Sequence, residues 1–212
     1  MFITFEGIEG SGKSLQILRT QAYVQKKGVS CLVTREPGGT DFGLALRPIL
    51  LGTGGSRREP LSELLLYLAD RYQHLKELIE PALEQGLWVL SDRYQDATRA
   101  YQGAARGIPS TEIEKLVRLL RIIEPDKTIL LDLEPEEGLS RARRRNRTSP
   151  TANMEGRFEA EDLYFHRRVR NAYLELARRS PGRIHIVEAS GTPDEVFSRI
   201  APLFDKWIPP SE

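Results

Sequence analysis

Apolar residues gather along the chain in five short runs, each of which ends in polar or turn-forming residues. These runs are residues 2–5, 30–34, 87–91, 128–133 and 184–188, and they are rich in β-branched, leucine and aromatic side chains. Between the runs, apolar positions recur at the spacing of amphipathic helices. Strands that alternate with helices predict βαβ crossovers, and therefore a parallel sheet with helices on both faces. Functional side chains are then expected just after the carboxyl ends of the strands.

Two of the predicted helices carry a start signal, a threonine followed three residues later by a glutamate. These capping-box pairs are Thr111 with Glu114 and Thr192 with Glu195. The apolar pattern over residues 61–82 predicts one long helix. Residues 51–60, which include three glycines, and residues 148–156 lack such a pattern, so we expect mobile connections there.

The composition fits one globular domain that comprises the whole chain, residues 1–212. Hydrophobic residues make up 40% of it, which is enough for a full-sized core. The formal net charge of +1 gives no overall attraction for nucleic acid or an anionic membrane. Cys31 is the single cysteine, so no intramolecular disulfide can form, and the sequence shows neither a signal-like leader nor an apolar run of membrane length. We therefore expect a cytoplasmic protein with no nucleic-acid or membrane partner.

A glycine-rich segment with the pattern G-x-x-x-x-G-K-S directly follows the first predicted strand. It consists of Gly7, Ile8, Glu9, Gly10, Ser11, Gly12, Lys13 and Ser14. In such a phosphate-binding loop, or P-loop, backbone N–H groups surround nucleotide phosphates, Lys13 adds positive charge and the Ser14 hydroxyl can ligate Mg²⁺. The strand before the loop and the amphipathic segment after it favour this interpretation over a glycine-rich surface turn. We therefore expect the chain to bind a nucleoside triphosphate.

Polar side chains follow the second and third predicted strands. Arg35 begins the turn Arg35-Glu36-Pro37-Gly38-Gly39-Thr40, where it can lie near bound anions or simply start a plain turn. Asp92 and Arg93 end the third strand. A carboxylate there can orient Mg²⁺ or its water ligands, and an arginine offers a planar fork for a phosphate. Their place at a strand end favours these roles over a surface salt bridge.

Tyr67 and Arg71 lie four residues apart on the long predicted helix and therefore share a face. A tyrosine ring can stack on a flat heteroaromatic base, and a guanidinium can donate to the carbonyl edge of that base. The alternative is an amphipathic pair on the protein surface. The pair therefore indicates a base-binding site only in combination with the other motifs.

Five arginines crowd the end of the helix that is predicted after the fourth strand. They are Arg141, Arg143, Arg144, Arg145 and Arg147. Such a run is usually a solvated helix face. Alternatively, residues 141–158 form a mobile lid that closes over a transferring phosphoryl group and supplies positive charge. A nucleic-acid surface is a third alternative, but no aromatic residues alternate with these arginines.

Taken together, these motifs resemble those of the bacterial-type thymidylate kinase family, and the resemblance covers nearly the whole chain. The motifs that carry it are Phe5-Glu6-Gly7-Ile8-Glu9-Gly10-Ser11-Gly12-Lys13-Ser14, Arg35-Glu36-Pro37-Gly38-Gly39-Thr40, Asp92-Arg93-Tyr94, Ala100-Tyr101-Gln102-Gly103, and Leu131-Asp132-Leu133 followed by Pro135-Glu136 and Gly138-Leu139. The resemblance implies an α/β, three-layer P-loop nucleotide kinase fold, with a five-stranded parallel sheet, helices on both faces and a mobile lid. It also implies transfer of the ATP γ-phosphoryl group to dTMP, which gives dTDP and ADP, by a Mg²⁺-dependent homodimer.

The resemblance also assigns roles to individual residues. The positions that match the dTMP site are Glu9, Arg47, Tyr67, Arg71, Arg93, Thr98, Tyr101 and Gln102. Lys13, Arg93 and Arg145 match the catalytic positions. Arg141 falls where nucleotide kinases stack a guanidinium on adenine, so it would bind ATP together with the P-loop. Ser14 and Asp92 would hold the Mg²⁺.

In the family, an additional arginine stabilises the transferring phosphoryl group. This chain also departs from the family pattern at three positions. The P-loop has no basic residue between Gly7 and Gly12, so this arginine must come from the lid. Arg145 matches the family's lid arginine in register, with Arg143, Arg147 and Arg157 as alternatives. The departures are Tyr67 in place of phenylalanine, Ala97 in place of a common serine, and Pro48 after Arg47, where the proline removes a backbone donor. The segment 148–156 is also longer than is usual in the family.

The motifs are compatible with other functions, and one helix face could form a dimer surface. A P-loop and a lid would equally serve a kinase for dUMP, dCMP or a deoxynucleoside, although Arg71 can only donate and therefore disfavours the amino group of cytosine. A P-loop switch or a nucleic-acid-binding ATPase would leave the Asp92-Arg93 and Tyr67/Arg71 pairs unexplained. One apolar helix face can pack internally or across a dimer; it comprises Leu116, Val117, Leu119, Leu120 and Ile123.

Overall fold

The computed structural model describes residues 1–53, 58–148 and 156–209, and only the backbone over residues 146–148. Within these ranges, five strands form one sheet: β1 Phe2–Glu6, β2 Cys31–Arg35, β3 Trp88–Asp92, β4 Lys127–Asp132 and β5 Ile184–Glu188. The order is β2-β3-β1-β4-β5, and every neighbouring pair is parallel. Each strand begins and ends within one residue of its prediction. The predicted parallel α/β sheet is therefore confirmed.

Helices connect the strands, and none of those described is long and apolar enough to cross a membrane. They are α1 Lys13–Lys26, α2 Asp41–Leu51, α3 Pro60–His74, α4 Glu80–Glu84, α5 Gln95–Thr98, α6 Ser110–Leu119, α7 Pro135–Thr148, α8 Leu163–Arg179 and α9 Pro193–Trp207, with π-helical segments at Leu75–Ile79 and Arg99–Ala105. The long helix predicted at residues 61–82 corresponds to α3, the first π-helical segment and α4, which follow one another without a break.

One of the two predicted capping boxes is present; the other is absent, so that prediction is wrong. At the start of α9, the Thr192 hydroxyl accepts from the Glu195 N–H at 3.3 Å, and Glu195 Oε2 accepts from the Thr192 N–H at 2.7 Å. By contrast, α6 begins at Ser110 with Pro109 in the capping position, and no side chain caps it. Thr111 therefore lies one residue inside the helix, past the position from which its hydroxyl could cap.

Successive side chains of β1 point to opposite faces of the sheet, and helices cover both faces. Phe5 stacks on Phe204 of α9 with ring centroids 6.4 Å apart, and α9 packs against α1. Phe2 points the other way and meets Tyr94 edge to face at 4.8 Å, in a core that includes Leu64 of α3. The three-layer arrangement of the P-loop kinase fold is therefore present.

The apolar face of α6 and the residues after it pack mainly inside the protein. Val117 belongs to the core on the Phe2 side of the sheet. Leu116, Leu120 and Ile123 pack against that core, whereas Leu119 is 76% exposed. Other exposed apolar side chains occur on α2 and α3, namely Phe42, Leu44, Ile49, Leu61, Leu65 and Tyr72.

The strand register brings three chain segments to the same edge of the sheet. Asp92 at the end of β3 lies beside Phe5 of β1 on one side and beside Arg35 of β2 on the other. The P-loop follows β1, and the turn from Arg35 to Thr40 follows β2. Because all three strands are parallel, the polar residues that follow them converge.

Candidate active site

A cavity with a volume of about 270 Å³ opens at this edge of the sheet. The predicted site residues that line it are Glu9, Gly10, Lys13, Ser14, Arg47, Tyr67, Arg71, Asp92, Arg93, Thr98, Tyr101, Gln102 and Arg145. The structure therefore brings together, in one cavity, side chains that the sequence assigns to a phosphoryl donor and side chains that it assigns to an acceptor.

The P-loop follows a backbone path that favours glycine at two points. Gly7 has a φ of 139° and Gly10 a φ of 75°, and a Cβ at Gly10 would lie 2.0 Å from a carbonyl oxygen of α7. Lys13 is buried, and its Nζ donates to the carbonyl oxygens of Gly7 at 3.0 Å and Ile8 at 2.8 Å. Burial, together with nearby Arg93, lowers the pKa of Lys13 to about 8. The ammonium group therefore lies within the loop that would surround the nucleotide phosphates.

Ser14 and Asp92 join the P-loop helix to the end of β3. The Ser14 hydroxyl donates to Asp92 Oδ2 at 2.6 Å. Hydroxyl and carboxylate oxygens are the hard ligands that Mg²⁺ prefers. Across the described residues, no three or more His, Cys, Asp or Glu side chains are grouped so that they could hold a metal ion. The pair fits a Mg²⁺ that takes its remaining ligands from phosphate oxygens and water, which is how nucleotide kinases usually bind this ion.

Arg93 is held in an uncommon backbone conformation by β1. Its φ is 71°, although it is not a glycine. The Arg93 N–H donates to the Phe5 carbonyl oxygen at 3.0 Å, and the next N–H, that of Tyr94, donates to Glu6 Oε1 at 2.8 Å. The Arg93 guanidinium turns back to the P-loop, where Nη1 donates to the Gly7 carbonyl oxygen at 2.9 Å. The first strand and its loop therefore determine where this arginine lies.

Glu9 is the P-loop side chain that contacts the predicted acceptor site. Its Oε1 accepts from Arg93 Nη2 at 2.8 Å and from the Tyr101 hydroxyl at 2.6 Å. Its Oε2 lies 3.3 Å from Nδ1 of His166. Burial alone would raise the pKa of Glu9, but Arg93, His166 and Lys13 together hold it well below its usual range. Glu9 is therefore a carboxylate that links the P-loop to the acceptor side of the cavity.

Arg71 is only 1% exposed, and its guanidinium is fixed by several acceptors. These are Glu36 Oε2 at 2.8 Å from Nε, Gln95 Oε1 at 3.0 Å and Thr98 Oγ1 at 2.6 Å from Nη1, and the Tyr94 carbonyl oxygen at 2.9 Å from Nη2. An arginine has five N–H groups, so within the described residues one N–H on Nη2 remains for another acceptor. Because Arg71 lines the cavity, that acceptor can belong to a bound base.

Tyr67 and Gln102 lie near Arg71 in the cavity wall. Tyr67 is 9% exposed, and burial, followed by the neighbouring Glu63, raises its pKa above the usual range, so its hydroxyl stays protonated. Gln102 Nε2 donates to Glu63 Oε1 at 2.8 Å, and Glu63 also binds Arg157. The neutral phenol of Tyr67, the amide of Gln102 and the guanidinium of Arg71 thus form one group that suits a flat, hydrogen-bonding ligand.

Two further arginines line the cavity close to the turn after β2. Arg47 Nη1 donates to the Pro37 carbonyl oxygen at 2.6 Å, and Pro48 lies inside α2, which continues to Leu51. The backbone of Arg35 pairs with Asp92 in the sheet, but its side chain forms no hydrogen bond or ion pair with any residue that the structure describes. The sequence is compatible with two roles for Arg35, a contact with a bound anion or the start of a plain turn. A guanidinium without a side-chain partner among the described residues of this cavity favours the contact with an anion.

Arg145 is the predicted lid arginine that lies at the cavity. Its Nη2 lies 3.2 Å from Glu159 Oε1, and its side chain is 58% exposed. The alternative Arg157 also borders this region, but Glu63 binds it and its Nη1 donates to the Leu50 carbonyl oxygen at 3.0 Å. The Arg145 side chain is therefore more exposed than the Arg157 side chain, which is 16% exposed.

The other predicted lid positions lie elsewhere. Arg141 is next to the loop that follows β5, where its Nη1 donates to the Ala189 carbonyl oxygen at 3.0 Å. Arg143 is exposed on α7 and is not among the described residues that line the cavity. The Arg147 side chain and residues 149–155 lie outside the described residues, so most of the predicted connection at 148–156 does as well.

Some residues at the site have no clear signal in the sequence. Glu6 is buried beneath the P-loop, where it accepts from the Tyr173 hydroxyl at 2.6 Å, and burial raises the pKa of Glu6 to about 7. Its place at the end of β1 is the signal that could have found it. His166 and Tyr173 come from α8, far along the chain and without a local motif that points to the P-loop. Only the packing of α8 against the sheet brings them there.

The fold and the cavity together define a P-loop nucleotide kinase, with a phosphate loop, a Ser14–Asp92 pair that fits Mg²⁺, and a second group of side chains that the sequence assigns to an acceptor. Comparison with known proteins narrows this class. The sequence profile of the family described as thymidylate kinase matches residues 5–200. The chain therefore belongs to the thymidylate kinase family.

Individual relatives agree with this assignment. The chain is 49% identical over 201 residues to the thymidylate kinase of Oleidesulfovibrio alaskensis, a match that covers 94% of this chain and 95% of the relative. It is 50% identical over 201 residues to the thymidylate kinase of Nitratidesulfovibrio vulgaris strain Miyazaki F, which covers 94% of each. The crystal structure of thymidylate kinase from Ehrlichia chaffeensis matches with a TM-score of 0.76 at 30% identity, covering 96% of this chain and 98% of that one. The family and the fold expected from the sequence motifs are confirmed.

Proposed function

We propose that this enzyme transfers the γ-phosphoryl group of ATP to dTMP and so produces dTDP and ADP, a step in dTTP synthesis. One observation carries the proposal: a single cavity joins the P-loop at Lys13 to a base-binding group around Arg71. Arg93 lines the same cavity and bonds to the P-loop through Gly7 and Glu9. Membership of the thymidylate kinase family supports the same reaction.

The base-binding group favours a pyrimidine with a carbonyl at the edge that faces Arg71. The remaining N–H of Arg71 can only donate, so it suits an oxygen of thymine or uracil and not the amino group of cytosine. Tyr67 supplies a ring for stacking, and Thr98 and Gln102 add polar groups at the cavity wall. We therefore expect dTMP and dUMP to be used in preference to dCMP.

The proposed reaction depends mainly on positively charged side chains that hold the two phosphate groups. The acceptor phosphate is already an ionised nucleophile, so the enzyme needs no general base and must instead align two anions. Arg93 holds the acceptor phosphate, and Lys13, with the P-loop N–H groups, holds the donor. Arg35, whose guanidinium has no partner within the described residues, is a further cation for the acceptor phosphate.

Ser14 and Asp92 would hold the Mg²⁺ that accompanies ATP, and the ion would supply positive charge to the ATP phosphates. The short Ser14–Asp92 hydrogen bond shows that the two oxygens already lie together, so little rearrangement is needed. Asp92 also lies beside Phe5 in the sheet register, which fixes its distance from the start of the P-loop.

Arg145 supplies the charge that stabilises the transferring group, and Arg141 binds the adenine. The P-loop lacks an arginine, so this charge must come from the arginine-rich lid, residues 141–158. Arg145 lines the cavity next to Glu159, and exchanging that carboxylate for the phosphoryl group would deliver a full positive charge at the transition state. Arg141 lies against the loop after β5, apart from the acceptor site. Beside this loop its guanidinium can stack on the flat adenine ring.

The enzyme acts as a homodimer, as the family resemblance implies. Five large apolar side chains on two helices that pack against each other are between 41% and 52% exposed: Phe42 and Ile49 of α2, and Leu61, Leu65 and Tyr72 of α3. Their spacing of four or seven residues places each set on one helix face. A second copy of the chain would cover both faces through the same residues, as in a two-fold dimer.

An acceptor panel tests the proposed function. ADP release from ATP and Mg²⁺ is measured in a coupled assay with dTMP, dUMP, dCMP and the corresponding nucleosides as acceptors. We expect turnover with dTMP, less with dCMP, and no requirement for nucleic acid or membrane, in keeping with a single kinase domain in the cytoplasm. Strong turnover without any acceptor, or only with nucleic acid, would favour a P-loop ATPase. A preference for another acceptor would assign a different nucleotide kinase.

A further inference from the structure

His166 faces the P-loop from a fully buried position on α8, where it is 0% exposed. Its Nε2 lies 3.0 Å from the Phe158 carbonyl oxygen, which can only accept, so Nε2 carries a hydrogen. Its Nδ1 lies 3.3 Å from Glu9 Oε2. These two facing atoms are both buried, and neither has an aligned hydrogen-bond partner among the described residues. Their approach to each other is therefore a close polar contact between α8 and the P-loop.

The contact between Nδ1 of His166 and Oε2 of Glu9 joins two polar atoms inside the protein. Glu9 accepts from Arg93 and Tyr101 through Oε1, so it is a carboxylate. A lone pair on Nδ1 would face a lone pair on Oε2 without water between them, which is costly. A hydrogen on Nδ1 turns the same contact into a charge-assisted attraction. Such a hydrogen would let His166 hold Oε2 of Glu9 against α8.

We propose that His166 is a positioning residue that holds the Glu9 carboxylate in place for the phosphoryl acceptor. It attracts Oε2 of Glu9 towards α8 and so leaves Oε1 shared between Arg93 and Tyr101. The proposal rests on the proposed function, because Arg93 and Tyr101 are the residues assigned there to dTMP. Without His166, the Glu9 carboxylate would turn both oxygens towards Arg93 as a bidentate pair. Arg93 would then have fewer donors for the acceptor phosphate.

Phe158 determines which nitrogen of His166 faces Glu9. Its carbonyl oxygen takes the Nε2 hydrogen, and this contact orients Nδ1 towards the P-loop. The Phe158 ring also packs edge to face on Tyr101, with centroids 5.0 Å apart. Tyr101 is thus held by Glu9 at its hydroxyl and by Phe158 at its ring. His166 is not among the described residues that line the cavity, so it acts through Glu9 and not on the substrate.

Two substitutions separate the two contacts of His166. In His166→Asn, the amide nitrogen takes the place of Nδ1 and can still donate to Glu9. In His166→Gln, the amide nitrogen takes the place of Nε2 and can still donate to the Phe158 carbonyl oxygen. Each variant keeps one donor and loses the other contact, so a merely structural role predicts similar effects for both.

We expect the KM for dTMP to rise about tenfold in His166→Gln, which corresponds to about 1.4 kcal/mol. In His166→Asn it should stay within about threefold of the wild type, because a donor to Glu9 remains. The kcat and the KM for ATP should change less than about threefold in both variants. Matched controls are His185→Asn and His185→Gln, since His185 lies on β5 with its ring 5.1 Å from that of Trp207. Thermal unfolding of every variant reports its folding.

Equal KM values for dTMP in the two His166 variants would overturn the proposal, as would a wild-type KM in His166→Gln. A Glu9→Gln background gives a second test that does not depend on His166→Gln alone. Once the charge on residue 9 is removed, neither His166 variant should raise the KM for dTMP further, and an additive rise would contradict the coupling. A wild-type enzyme that does not phosphorylate dTMP would reject the proposed function instead. Normal wild-type turnover with unaffected His166 variants rejects only this inference.

Discussion

Arg71 and Glu36 form an ion pair that is shut off from water. Arg71 Nε lies 2.8 Å from Glu36 Oε2, and both side chains are 2% exposed. The other carboxylate oxygen, Oε1, accepts from His74 Nδ1 at 2.9 Å. Breaking a buried pair leaves one charge without a partner, which costs far more than the intact pair contributes. The guanidinium that is proposed to recognise the base is thus fixed by a residue of the turn after β2.

Glu36→Gln should therefore reduce both stability and substrate binding. We expect the free energy of unfolding to fall by about 3 kcal/mol, because Arg71 loses its counter-charge inside the protein. The KM for dTMP should rise as the guanidinium shifts. Denaturant unfolding and steady-state kinetics measure the two effects. The control is Glu84→Gln at an exposed position of α4, which should change stability by less than about 0.5 kcal/mol. Equal stability of Glu36→Gln and wild type would show that the pair is not needed.

Arg145→Ala should lower kcat by about a hundredfold and change the KM for dTMP by less than about threefold. The reason is that its charge acts mainly on the transferring group, while the acceptor is held by Arg93. Steady-state kinetics with each substrate varied separates the two parameters. Arg144→Ala, an exposed neighbour on the same helix, is the control. An unchanged kcat in Arg145→Ala would move the catalytic role to Arg143, Arg147 or Arg157, which the corresponding alanine variants identify.

Asp92→Asn should weaken the use of Mg²⁺ specifically. An amide keeps the shape but loses the charge that attracts the cation, so we expect the half-saturating Mg²⁺ concentration to rise about tenfold. Ser14→Ala removes the other oxygen and should act in the same direction. Activity is titrated with Mg²⁺ at saturating ATP and dTMP. Asp194→Asn, whose side chain is 87% exposed, is the control. Identical Mg²⁺ titrations for Asp92→Asn and wild type would remove Asp92 from the proposed metal site.

The sheet could be predicted almost to the residue because each strand is a short, continuous apolar run. In a parallel sheet covered on both faces, such runs are what burial requires, and the polar residues that follow them end the strands. The start of α6 could not be predicted in the same way. Thr111 and Glu114 have the spacing of a capping box, but Pro109 occupies the capping position and the helix begins at Ser110. Local spacing does not reveal which of several adjacent residues begins a helix.

Site residues could be predicted where a motif places them at a strand end, as for Lys13, Asp92 and Arg93. The residues that position them could not. Glu9 is orientated by His166, which is 157 positions further along the chain and reaches the P-loop only because α8 packs against the sheet. Such contacts depend on tertiary packing, and a single sequence carries no periodic signal for them. The assigned roles themselves remain predictions that the substitutions above test.

Leu65→Asp should disrupt the proposed homodimer. Leu65 is 49% exposed on the apolar face of α3, and a carboxylate there would be buried without a partner in a two-fold interface. We expect the variant to elute as a monomer in size-exclusion chromatography with light scattering, while the wild type elutes as a dimer. Leu18→Asp is the control, since Leu18 is 56% exposed on α1, outside the proposed interface. A dimer that persists in Leu65→Asp and dissociates in Leu18→Asp would move the interface to α1.

Glu6 should make the stability of the enzyme depend on pH. Burial raises its pKa from 4.5 to about 7. Between these values the native protein holds a proton that the unfolded chain has lost, so the free energy of unfolding falls as the pH rises. Below pH 4.5 both states are protonated and the cost of the buried charge is absent. Above pH 7 Glu6 is charged in both states, and the native protein bears the full cost of the buried charge. The difference of 2.5 units between the two pKa values corresponds to about 3 kcal/mol.

Glu6→Gln isolates this contribution, because glutamine stays neutral and still offers an oxygen to the Tyr94 N–H. The difference in unfolding free energy between wild type and variant should fall by about 3 kcal/mol between pH 4.5 and pH 8, with the wild type becoming relatively less stable. Asp70, whose pKa burial raises to about 6, acts in the same direction in both proteins and cancels in the difference. Denaturant unfolding at several pH values measures it, with Glu84→Gln as the control. A difference that does not change with pH would mean that the pKa of Glu6 is the same in the native and the unfolded states, and that Arg93 compensates for its burial.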